Sequence, residues 1–350
     1  MADRVELKAV CKEYAGSVAV ETVDLSIAAG EFVVLLGPSG SGKTTILNMI
    51  GGFVEPTSGQ ILIDGEDVTG LPPAKRPTAT VFQDYALFPH LSVLANVGFG
   101  LRMRGVERAE RERRAAEMLK LVGLEGFGHR GIHQMSGGQR QRVALARAMA
   151  VGPKVLLLDE PLGALDLALR RQMQEELVRL QKTLGATFVH VTHDQEEAMS
   201  IADRIIVMNR GRIEDMGKPD RIYLRPASLF AARFMGESNI IDGRVVETRG
   251  GDMGVATALG DLNVPGNAAP GTAVHLALRP EQLLLEAPTQ GMRLGEAATT
   301  EISFQGTHQR CRCHIGETEL ILRAPVTAGI TAGSRVPLFA RISDVVVLTH

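Results

Sequence analysis

The stretch "FVVLLGPSGSGKTTILNMI" (Phe32–Ile50) decides how the chain begins to fold. Phe32–Leu36 is a short, continuous apolar run, the pattern of a strand covered on both faces in a largely parallel sheet. A glycine-rich turn, "GPSGSGKTT" (Gly37–Thr45), follows at once, and "ILNMI" continues as an apolar helical run. Strand, G-x-x-x-x-G-K-T and helix, in that order, is the context a phosphate-binding loop requires. In such a loop Gly40 and Gly42 let the backbone close around phosphate oxygens, Lys43 reaches the β and γ oxygens, and the Thr44 hydroxyl faces Mg²⁺. The expected nucleotide contacts are therefore Gly37, Pro38, Ser39, Gly40, Ser41, Gly42, Lys43, Thr44 and Thr45.

A second apolar strand, "VLLLDEP" (Val155–Pro161), ends in two adjacent carboxylates. Beside a phosphate loop, Asp159 would hold the metal through its waters, and Glu160 would polarise the attacking water as general base. With "FVHVT" (Phe188–Thr192) as a further buried strand, residues 1–236 are expected to form an α/β domain. Between Ser92 and Met135 the pattern turns helical: Ala115, Met118, Leu119 and Val122 repeat at i, i+3, i+4 and i+7 beneath a charged face. This predicts an inserted helical subdomain over residues 92–150. From Glu237 onward, short strands such as "RVVET", "AVHLALR" and "VVVLTH" are separated by Gly, Pro and Asn turns. They predict a small all-β domain, barrel or sandwich, over residues 237–350.

Composition narrows the function classes. A net charge of −2 and a densest charge run, "ERAERERR" (Glu107–Arg114), that mixes both signs offer no basic stripe for nucleic acid. The N-terminal "MADRVELKAV" lacks the apolar core of a signal peptide, and no run approaches the ~18–20 apolar residues of a membrane span. A soluble cytosolic chain is expected. Cys11, Cys311 and Cys313 suggest no disulfide framework. In "HQRCRCH" (His308–His314), a strand would place Cys311 and Cys313 on one face and turn His308 and His314 to the other. Those four groups do not converge on a metal.

The stretch "QMSGGQRQRVALARAMA" (Gln134–Ala150) presents what looks like a second phosphate cradle. Ser136, Gly137, Gly138 and Gln139 open a helix whose positive dipole end suits an anion, yet no lysine accompanies them. Taken with the phosphate loop and the carboxylate pair, the order of motifs resembles the nucleotide-binding subunit of ATP-binding-cassette (ABC) transporters. The resemblance spans nearly the whole chain. It implies that Tyr14 stacks on adenine, that Gln83 senses metal and γ-phosphate, and that Ser136–Gln139 is the family signature. It further implies that Asp166, in "GALD", lies in the loop that crosses between subunits, and that His193, in "VTHD", is the switch histidine near the γ-phosphate. The family's head-to-tail dimer would place each ATP between the phosphate loop of one copy and the signature of the other, so the second cradle needs no lysine of its own. Met135 stands where the family usually has leucine, a near-isosteric exchange.

The same resemblance implies partners. The tip of "VFQDYALFPHLSVLANV" (Val81–Val97), with Tyr85, Leu87 and Phe88, would form a groove for a helix of a transmembrane permease. A periplasmic solute-binding protein would act indirectly, and the chain would sit peripherally on the cytoplasmic face of the inner membrane. The C-terminal region resembles the barrel-like regulatory domain of importers of this type. "FGLRMRGV" and "GESN" resemble the importers for polyamines, opines and phosphonates. Importers of sugars, iron or inorganic anions would be served by the same motifs. A soluble ABC ATPase acting on ribosomes or DNA fits poorly, because the chain has one phosphate loop and no sustained heptads.

Overall fold

The computed structural model describes residues 3–163 and 166–349, which divide into two compact units at 219/220. The first unit opens with β1 (Asp3–Tyr14) and β2 (Ser17–Ala28), which pair antiparallel and are joined by β4 (Ser58–Ile63) and β5 (Glu66–Asp67) in the order β2-β1-β4-β5. A second sheet is built from β3 (Phe32–Leu36), β6 (Thr78–Val81), β7 (Val155–Asp159), β8 (Thr187–Thr192), β9 (Arg204–Asn209) and β10 (Arg212–Gly217). Its order is β10-β9-β3-β8-β7-β6, with every pair parallel except β10 against β9. The five residues of β3 are all buried, as an unalternating apolar run requires of a strand covered on both faces.

Helix α1 (Lys43–Gly51) packs Ile46, Leu47, Met49 and Ile50 into one core with Val5, Leu7 and Ile61 of the first sheet and Val33, Leu157 and Val191 of the second. Its C-terminal carbonyls are capped by the buried Arg76 guanidinium. That group donates to Met49 O at 2.6 Å and Ile50 O at 3.0 Å, and ties them to Thr69 O and Leu71 O. A cation there also suits the negative end of the helix dipole.

The inserted helical part comprises α2 (Val93–Val97), α3 (Phe99–Met103), α4 (Arg108–Leu121) and α5 (Gly137–Ala150). Ala115, Leu119 and Val122 of the expected stripe are buried and Met118 is half-buried, while α4's outer face carries Arg–Glu pairs at i+3 and i+4 spacing. The remaining helices of this unit are α6 (Leu167–Leu184) and α7 (Gln195–Ile201).

The second unit, from residue 220, takes in nearly all of α8 (Pro219–Leu224) and the whole of α9 (Leu229–Phe234). Ala232 packs with Ala277 and Leu348, and the buried Arg279 donates to Tyr223 O and Ala232 O, so these helices belong to the β core. That core lies between two antiparallel sheets. One has β11 (Asn239–Arg249), β12 (Asp252–Thr257), β13 (Gly260–Pro265), β14 (Ala273–Leu278) and, from the end of the chain, β19 (Val346–Leu348), in the order β13-β12-β11-β14-β19. The other runs β17-β16-β15-β18, from β15 (Gly291–Phe304), β16 (His308–Ile315), β17 (Thr318–Pro325) and β18 (Arg335–Arg341). Cys311 and Cys313 point into this core from β16, while His308 and His314 are only half-buried.

Candidate functional site

Four motif loops leave the carboxyl ends of neighbouring strands, which is where open α/β sheets bind ligands. In sequence their strands run β3, β6, β7, β8; in space they run β3-β8-β7-β6. The strands that lead into the phosphate loop, His193, Glu160 and Gln83 therefore lie side by side in that order, neighbouring strands being about 4.8 Å apart.

The phosphate loop turns into α1 at Gly42, whose φ of 97° is open only to glycine at low cost. A Cβ there would also lie 2.6 Å from Ala19 O, so the β1–β2 hairpin runs directly against the loop. Tyr14, 44% exposed at the end of β1, presents its ring in that hairpin with Lys12 Nζ 4.8 Å from the centroid. Lys43 is buried and donates to Gly37 O at 2.9 Å, Pro38 O at 2.8 Å and Ser41 Oγ at 3.3 Å. Burial lowers its pKa, opposed by the Glu160 and Asp159 carboxylates. A phosphate oxygen entering the loop would compete with those acceptors for the same three protons.

Thr44 Oγ1 donates to Asp159 Oδ1 at 3.2 Å. Burial pushes the Asp159 carboxyl up, the Thr44 hydrogen bond pulls it down, and the Glu160 charge pushes it further up. A hydroxyl and a carboxylate this close are hard oxygen donors of the kind Mg²⁺ takes, and a dication would relieve the crowding of negative charge. Glu160 itself has φ 44°, a left-handed conformation for a non-glycine residue, held by its N–H on Val191 O at 3.1 Å. Its Oε1 lies 3.2 Å from His193 Nδ1.

Gln83 is exposed in the turn after β6. Just beyond it, Tyr85 and Ala86 have φ of 64° and 44°, and the Arg147 guanidinium from α5 donates to both of their carbonyl oxygens, at 2.7 and 2.5 Å. Burial lowers the Arg147 pKa, with Asp84 opposing. The apolar tip is braced by Phe88 against Phe99 at 4.3 Å and by buried Asn96, which accepts from Phe88 N and donates to Phe88 O.

The signature residues turn to one another and not to the phosphate loop. Ser136 Oγ accepts from Gln139 N at 3.3 Å while Gln139 Oε1 accepts from Ser136 N at 3.0 Å, a reciprocal cap on α5. Gly137 faces open space, whereas a Cβ on Gly138 would lie 2.8 Å from the Leu169 side chain of α6. Met135 is buried at 6% exposure. Asp166 caps α6 by accepting from Leu169 N at 2.9 Å. Among the described residues no cluster of His, Cys, Asp and Glu gathers as a metal site.

The sequence reading missed Arg76, Asn96 and Arg147, as well as a set of groups around His193. His190 is fully buried with its Nε2 2.7 Å from Glu197 Oε1, and Arg170 on α6 donates to Asp194 Oδ2 at 3.0 Å. Each makes its contact across a sequence gap or a fold layer, so no local spacing announces it.

A phosphate loop, a carboxylate pair and a histidine set side by side at the carboxyl ends of parallel strands define a P-loop nucleoside triphosphatase. A family model described as ABC transporter matches residues 20–163, and one described as TOBE domain matches residues 276–348. The spermidine/putrescine import ATP-binding protein PotA of Rubrobacter xylanophilus is 49% identical over 328 residues, 92% of this chain and 84% of that protein. The protein of the same name in Trichodesmium erythraeum is 45% identical over 348 residues, 96% and 91% of the two chains. The ATP-binding cassette MJ0796, solved as a dimer in a post-hydrolysis state bound to ADP and Pi, is 38% identical with a TM-score of 0.55, over 61% of this chain and 98% of that one. The cbiO1 subunit of Clostridium perfringens, part of the transporter complex cbiONQ, is 31% identical with a TM-score of 0.60, over 63% and 91%. The chain belongs to the ABC transporter family, as one of its ATP-hydrolysing, ATP-binding proteins.

Proposed function

We propose that two copies of this chain, docked on the cytoplasmic face of a membrane permease, hydrolyse ATP to import spermidine and putrescine. The identity to the polyamine import protein, 49% over 92% of the chain, carries the choice of solute. A periplasmic binding protein would deliver that solute. Among the described residues no helix is long and apolar enough to cross a membrane, so transport would rely on separate permease subunits.

In this reading Gly37–Thr45 cradles the phosphates, with Lys43 on the β and γ oxygens and Tyr14 against the adenine. Thr44, Asp159 and Gln83 would hold Mg²⁺, which supplies charge neutralisation at the transferring phosphoryl group. Glu160 takes a proton from the attacking water, and His193, 3.2 Å from it, orients that carboxylate and reaches towards the γ-phosphate. Ser136, Gly137, Gly138 and Gln139 close over the nucleotide of the opposite copy, helped by the positive end of α5, and Asp166 lies at the crossing between copies. The adjacency of Lys43, Thr44–Asp159 and Glu160–His193 supports this assignment of roles.

Uptake of labelled spermidine and putrescine by cells lacking the gene tests the solute. Loss of both, restored by the intact chain and not by Glu160→Gln, is expected. Unchanged polyamine uptake with a defect in sugar or iron import would reject it.

A further inference from the structure

We infer that Arg170, Asp194, Thr192 and Glu197 are positioning residues that aim His193, and that the Arg170–Asp194 pair fastens the segment leaving Glu160 to the turn that carries the histidine. This rests on the proposed roles of Glu160 and His193.

His193 is 62% exposed at its side chain, so its direction is set by the turn beneath it and not by packing around the ring. That turn is bound at every step. Asp194 N donates to Thr192 Oγ1 at 3.0 Å; Thr192 Oγ1 donates to Glu197 Oε2 at 2.9 Å; Glu197 N donates to Asp194 Oδ1 at 3.1 Å. The other Glu197 oxygen meets His190 Nε2 at 2.7 Å, with both side chains at 5% exposure or less. His190 Nδ1 has no hydrogen-bond partner among the described residues. The carboxylate is thus anchored below the turn by a group that takes no part in nucleotide contact.

The remaining Asp194 oxygen, Oδ2, accepts from Arg170 NH1 at 3.0 Å. Arg170 stands one turn inside α6, four residues after the Asp166 cap. The path then closes on itself: chain from Glu160 to Arg170, ion pair to Asp194, one peptide to His193, and the 3.2 Å contact back to Glu160. One side of this ring is the parallel pairing of β7 with β8; the other is the ion pair. Removing the ion pair leaves both reacting groups in place but frees the histidine's turn relative to α6, a displacement of the kind to which positioned groups are sensitive.

The experiment measures steady-state ATPase kinetics, nucleotide affinity and thermal unfolding of the full-length chain for Asp194→Asn, Arg170→Met and Arg170→Lys, each alone and in a His193→Ala background. Asp194→Asn keeps the cap on Glu197 N and removes only the charge, so it reports the pair even if an Arg170 variant folds poorly. Asp194→Asn and Arg170→Met are expected to lower kcat about tenfold, the scale of one charge-assisted hydrogen bond, with KM and nucleotide affinity within about twofold. Arg170→Lys should recover part of the loss. With His193 already removed, neither change should lower kcat further. Equal fractional losses with and without His193, or a loss that tracks a lowered melting temperature, would overturn the inference while leaving the histidine's role intact. Full turnover by His193→Ala alone would overturn the reading it rests on.

Discussion

Glu160 and His193 face each other at 3.2 Å from the ends of adjacent parallel strands, with the glutamate in a left-handed backbone conformation. Glu160→Gln keeps the shape and a hydrogen-bonding side chain but cannot take a proton. Turnover should fall by about 10²–10⁴-fold, the usual scale of a lost general base, while ATP binding persists. A stable ATP-dependent dimer should accumulate in size-exclusion chromatography. Wild-type turnover in this variant would remove Glu160 from its role.

The two cradles can be tested against one another. Lys43→Ala disables the phosphate loop, and Ser136→Arg fills the cap of α5 with bulk and charge. Homodimers of either variant carry two damaged sites. In a head-to-tail mixed dimer both lesions meet in one site and the other is intact, so mixing should restore some ATPase activity, limited by the coupling between sites. Mixed dimers that form yet stay inactive, under conditions where wild-type/variant hybrids turn over, would rule out the head-to-tail arrangement.

Asn96 is fully buried and satisfies both main-chain groups of Phe88. Asn96→Ala strands them, at a cost of about 1–3 kcal/mol for the orphaned groups. Urea denaturation should show that loss. Unchanged stability would mean that the loop finds other partners.

Glu237 accepts from Arg310 Nε at 2.8 Å, and that bond, with Arg323 nearby, holds its carboxyl below the ordinary value of 4.5. Because the unfolded chain takes up the proton first, this contribution to stability is present above about pH 4.5 and is lost as pH falls through the folded value. Glu237→Gln should flatten the acid limb of the second unit's melting profile and leave the neutral region's slope unchanged. An identical acid limb in both proteins would discount the pair.

The strands that carry the site could be read from the chain because each motif abuts an apolar run: "FVVLL" before Gly37, "VLLLD" before Glu160, "FVHVT" before His193. Which strand lies beside which could not, since the order β3-β8-β7-β6 arises from crossover connections and not from any local pattern. The same limit explains Arg170 and Asp194, 24 residues apart and joined only when α6 folds over the sheet. It also holds for the two short helices that precede β11. Residues 219–234 carry ordinary helical patterns that resemble the preceding α/β part, and only the packing of Ala232 and the reach of Arg279 assign them elsewhere.

The division at 219/220 bears on where such a chain is best cut and rejoined. The β unit owns a lead-in of two short helices, with Ser228 capping the second and Tyr223 stacked under the Arg279 guanidinium at 4.2 Å. A chimaera spliced at 236/237 would strip the sandwich of that lead-in and expose the apolar patch of Ala277 and Leu348. One spliced at 219/220 would carry the complete module, so exchange of such domains between cassettes, whether by recombination or at the bench, is expected to respect the earlier joint.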